Sequence, residues 1–132
     1  MKIESHLENL NESIREIEEA VKFGLTEKQR TLGFHTSAAS IDILEIILHK
    51  ENKIDPGFIL KHDWFNADRK IKEKIPFDFS RKEEIISLIK SIENSRNNFC
   101  YGKRQSEESL ETLIKTFNKL KEIFIEVTKY EL

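Results

Sequence analysis

Apolar residues at Ile3, Leu7, Leu10, Ile14, Ile17 and Val21 recur at alternating steps of four and three. That spacing puts them in one stripe on an amphipathic helix, with Glu, Arg and Asn on the other faces. It predicts a first helix over residues 3–24, stopped at Gly24. Such a stripe packs within its own domain or against a partner chain, and the first is the simpler reading. Thr26 opens the second helix, because Thr26-x-x-Gln29 has the form of a capping box. From Ala38 to Leu48 the chain is apolar nearly all round, which predicts a central, buried helix. Asp42 and Glu45 interrupt that run three residues apart and share a face. They are a carboxylate pair for a metal or the helix's one wet stripe. No Glu-x-x-His on another helix supports the metal, so the wet stripe is preferred.

The pattern then loosens. Asp55-Pro56 reads as an N-cap and first helical residue, predicting a short helix over 56–62. Asn66 reads as the cap of another over 66–74, and Trp64, Phe65, Phe77 and Phe79 as a plug at one end of a bundle. Ser80-x-x-Glu83 has capping-box form and opens a third main helix that runs through Arg96 and Phe99 to Tyr101. Gly102 is expected beyond it in the left-handed conformation. Ser106 caps the last helix, whose core face runs from Leu110 to Val127. The predicted fold is all-α: a single domain, residues 1–132, forming an antiparallel up-and-down bundle of four main helices with one or two short extras.

Composition narrows the function classes. With 22 basic and 24 acidic residues the net charge is -2, so only a local basic patch would favour nucleic acid. A single cysteine, Cys100, excludes an intrachain disulfide and a cysteine-rich zinc site, and favours an intracellular, cytoplasmic protein. No apolar run reaches the roughly 20 residues of a membrane span, and residues 1–4 lack a signal peptide's apolar run. Phosphate loops, nucleophile elbows and His-Glu-x-x-His are all missing, and His6, His35, His49 and His62 lack metal-ligand spacing. No metal and no cofactor is expected. His62 beside Asp63 is not a catalytic pair by adjacency alone, since helical neighbours diverge by about 100°.

What remains is the turn between the last two main helices, residues 95–104. It gathers Arg96, Asn97, Cys100, Tyr101, Lys103 and Arg104. On an ideal helix Arg96 and Tyr101 diverge, whereas Asn97 and Tyr101 share a face. A cation, an amide and a phenol at a helix end can bind a phosphate or nucleotide; they can equally cap the helix and meet a partner subunit.

The run Arg96-Asn97-Asn98-Phe99-Cys100-Tyr101-Gly102 resembles the signature of HEPN domains, in which Arg, often followed by Asn or another polar residue, is followed by His after four to six intervening residues. Residues 12–48 and 106–127 resemble that family's flanking helices. The resemblance implies a helical, homodimeric protein, a small nucleotidyltransferase partner in a toxin–antitoxin-like pair, and RNA or a nucleotide as ligand. Carried over, Arg96, Asn97, Lys103 and Arg104 form a phosphate-facing patch, and Tyr101 stands where the family has His. Tyrosine, with a pKa of about 10, is a weaker general base at neutral pH than His. A binding module therefore precedes a metal-independent ribonuclease using Arg96 and Tyr101. A protein-interaction adaptor using the stripe from Ile3 to Val21 is the third reading.

Overall fold

The computed structural model describes residues 1–132 and is all-helical, with no strand. The helices are α1 (Ile3–Phe23), α2 (Gln29–Lys50), α3 (Asp68–Lys74), α4 (Lys82–Tyr101) and α5 (Glu107–Thr128), with a 3-10 turn at His62–Asn66 before α3. The chain forms α2 as its axis: Leu32, Ile43, Leu44, Ile46, Ile47 and Leu48 are fully buried. α1 lies along one side of it, and α4 and α5 pack on the others. Contacts between His6 and Asp42, and between Ser13 and His35, show that α1 and α2 run antiparallel. Ser37 meeting Glu93, and Gln29 meeting Phe99, show the same for α2 and α4. α2 is the one helix that matches a membrane span by length and composition, but 78% of its apolar window is buried inside the protein. A core helix passes that test for the same reason a membrane helix does: both are apolar all round.

Several local expectations are corrected. Residues 56–61 form no helix; Pro56 and Gly57 make a turn in which Asp55 Oδ1 accepts from Gly57 N at 2.8 Å. Neither Thr26 nor Ser80 caps a helix. α2 starts at Gln29 without a side-chain cap, and α4 starts after Arg81, a left-handed residue at φ 56°. α3 starts after Ala67 rather than Asn66, again without a side-chain cap. Gly102 is extended (φ −91°, ψ −174°), not left-handed. Its requirement for glycine is steric, since a Cβ there would lie 2.6 Å from the Asn98 carbonyl oxygen. Ser106 does cap α5, accepting from Ser109 N at 3.1 Å. Gly24 ends α1 at φ 151°, a conformation that side chains disfavour.

Gly33 sets the distance between α2 and α4. A methyl group there would lie 2.9 Å from Phe99 Cβ and 3.0 Å from Cys100 Sγ, both rooted in α4. Gly33→Ala should therefore destabilise by about 1–2 kcal/mol, because overpacking outweighs the gain in helix propensity of about 1 kcal/mol. Urea denaturation measures this; a more stable variant would show that the helices separate freely.

Candidate functional site

The charged residues of α2 are not its wet stripe. Asp42 and Glu45 are 9% and 4% exposed, and both face His6 of α1, itself 4% exposed. His6 Nδ1 lies 2.8 Å from Asp42 Oδ1, and His6 Nε2 lies 2.5 Å from Glu45 Oε2. Burial pushes the imidazole down, but the hydrogen bonds and charges of the two carboxylates outweigh it and raise its pKa to about 9. Burial holds Asp42 above the usual carboxylate range, against the pull of His6. It acts on Glu45 too, but there His6 and the Leu60 N–H, 2.7 Å from Oε1, win and lower the pKa. His49, ring-to-ring 6.0 Å from His6, is pushed down by burial and by the His6 charge.

Beside this triad an open groove of about 300 Å³ runs over α2. Its walls are Asn9, Glu12 and Ser13 of α1 on one side, and His62 and Arg96 on the other. Its floor is α2, where Ala38 is exposed because a methyl group leaves the space above it empty. Asp42 reaches the groove from the triad.

His62 is held on its wall by a buried acid. Glu93 Oε2 lies 2.9 Å from His62 Nδ1, and Ser37 Oγ donates to Glu93 Oε1 at 2.7 Å. A carboxylate only accepts, so Nδ1 carries the proton and Nε2 is left for a ligand. The His62 side chain is 41% exposed while that of Glu93 is 2% exposed, which divides their roles: one presented, one positioning. Across the groove His35 Nδ1 and Ser13 Oγ share a hydrogen bond of 3.2 Å. Imidazoles held through Nδ1 with Nε2 free are suited to proton transfer and to binding anions.

Arg96 sits one turn beyond Glu93. Its guanidinium lies 5.5 Å from the Phe34 ring, its Nε is buried with no partner, and no carboxylate pairs with it. Tyr101 stands elsewhere. It is 65% exposed at the end of α4, edge-on to Phe34 at 5.7 Å, with Arg30 over its ring at 6.0 Å. Asn97, Lys103 and Arg104 are exposed beyond the groove. The structure therefore gathers Arg96 with His62, His35 and Asp42, and leaves the other sequence-nominated residues on the outer surface of the turn. Cys100 is fully buried and burial pushes its thiol up, so it is packing rather than a nucleophile.

The turn itself is held from inside. Gln29, fully buried, donates from Nε2 to the Phe99 and Lys103 carbonyls at 3.2 and 2.9 Å and accepts from Gln105 N at 2.6 Å. The glutamine of the expected capping box is thus a clamp between the start of α2 and the end of α4. Glu93, His35 and Gln29 have no site role in the sequence reading, and Asp42 and His62 are considered there and set aside. The one signal that could have found them was the number of polar residues on buried faces.

No protein-family model matches the chain. No curated protein and no solved structure matches it either.

Proposed function

We propose that the groove binds a phosphate group of RNA or of a nucleotide, with Arg96 as its anchor. One observation carries this reading: a guanidinium with a buried, unpartnered Nε and no carboxylate within ion-pair distance lines an open groove with His62, although Glu12 and Asp42 line the same groove. A partly buried cation without a counter-ion is costly, and an anionic ligand removes that cost. The resemblance of residues 96–102 to HEPN domains supports a phosphate-facing role. The finer proposals rest on that resemblance alone: the family's bundle arrangement, a homodimer, a patch extended by Asn97, Lys103 and Arg104, and a small nucleotidyltransferase partner; a cytoplasmic setting is proposed from the single cysteine.

Fluorescence anisotropy with a labelled short single-stranded RNA tests the anchor. Arg96→Ala should weaken binding at least about tenfold and reduce the salt slope by about one charge. Unchanged affinity and slope in that variant would remove the assignment.

A second reading, metal-independent cleavage of RNA, is favoured by the Glu93–His62 pair. There His62, rather than Tyr101, moves the proton. With EDTA present, cleavage should then be lost in His62→Gln and kept in Tyr101→Phe; the reverse pattern restores Tyr101 to the role.

A further inference from the structure

The groove has two chemically different ends. Arg96 lies over Phe34 at one end, and Asp42 lies eight residues further along α2, about 12 Å by the rise of a helix. Asp42 gives Oδ1 to His6, and its Oδ2 has no protein partner although the residue is only 9% exposed. The antiparallel register that pairs His6 with Asp42 and Ser13 with His35 sets Asn9 on the groove wall about one helical turn from the level of Asp42. That end therefore offers an anionic acceptor and an amide that can donate. The other end offers the Arg96 cation, with Glu12 on the α1 wall beside Ser13. Ala38 keeps the floor between them open.

We propose that Asp42 and Asn9 read the edge of a nucleotide base that carries an amino group beside a ring-nitrogen acceptor, while the phosphate of the same nucleotide sits on Arg96. This rests on the reading of Arg96 as a phosphate anchor. Asp42 accepts from the amino group, and the Asn9 amide donates to the ring nitrogen, the pattern offered by adenine and cytosine. Uracil presents a carbonyl at the amino position, setting oxygen against oxygen at Asp42, so rejection is built into the same contact. His6 is a positioning residue here: it fixes one carboxylate oxygen and leaves the other for the ligand.

Calorimetric titration of the full chain tests this with AMP, purine riboside 5′-monophosphate (which lacks only the amino group), UMP and inorganic phosphate. AMP should bind at least about tenfold more tightly than the deamino analogue and UMP, the worth of one charge-assisted hydrogen bond. Asp42→Ala should erase that difference and keep phosphate binding, since Glu45 still balances His6 in the variant. Ala38→Phe, on an exposed position that threatens no core, should abolish nucleotide binding and spare phosphate. Equal affinity for AMP and its deamino analogue overturns the base-edge assignment, as does full AMP affinity in Ala38→Phe. Phosphate and AMP binding that both survive Arg96→Ala overturn the anchor instead; no binding by any probe overturns both. A short oligoadenylate binding more tightly than AMP identifies RNA as the source of the base, and one binding no better identifies a free nucleotide; either supports the assignment.

Discussion

Replacing His6 with alanine is expected to lower the free energy of unfolding by about 3–5 kcal/mol, the cost of leaving buried charge without its partner. Asp42 and Glu45 would then face each other without a counter-ion, Glu45 buried and Asp42 reaching only the edge of the groove. For a domain of this size the melting temperature should fall by about 10–20 °C. Combining His6→Ala with Asp42→Asn and Glu45→Gln should recover most of the loss, because it removes the unpaired charges together. A single variant within about 1 kcal/mol of the wild type would show that water reaches the triad. The same ion set gives stability a pH dependence. The His6 pKa is raised from 6.5 to about 9 on folding. Its contribution is therefore complete below pH 6.5 and is lost as pH rises through about 9. A shift of that size is worth about 3 kcal/mol. Glu45, whose pKa is lowered, contributes in the opposite sense and loses its share as pH falls through the carboxylate range. His49, also lowered, favours its neutral form and is penalised as pH falls below its ordinary value. Urea denaturation from pH 6 to 10 should show a decline that His6→Ala does not share.

The second large effect belongs to Gln29. Gln29→Leu keeps the volume of the side chain but strands two carbonyls and one N–H at the end of α4. At about 1–3 kcal/mol for each buried group left unsatisfied, and with partial access of water to the turn, the expected loss is about 2–4 kcal/mol. Hydrogen exchange separates local from global loss. The Gln105 amide, protected by Gln29 Oε1 at 2.6 Å, should exchange faster in the variant even where α2 and α5 remain protected. Unchanged protection at Gln105 would mean that the turn finds other partners.

Much of the helical pattern was legible from spacing alone. α1 and α5 carry one apolar stripe each, and α2, apolar nearly all round, is the buried axis its composition predicts. The errors share a physical origin. A capping box is a local bond, and Gln29 leaves its local partner for a turn more than seventy positions away. Asp42 and Glu45 looked wet because their counter-ion, His6, lies 36 residues from Asp42. His62 looked ordinary because the acid that orients it lies 31 residues away rather than at its neighbour Asp63. Arg96 was legible as a cation near a helix end. The groove that gives it a setting was not, since it depends on Ala38 being small and on three elements meeting above it.

The way α1 is attached has a consequence for access to the groove. α1 packs along α2 and makes few contacts with the other helices, and its polar anchors to α2 are His6 and Ser13. α2, α4 and α5 pack on one another without it. Undocking of the first helix from α2 would thus open one wall of the groove while leaving the packing among the remaining helices in place.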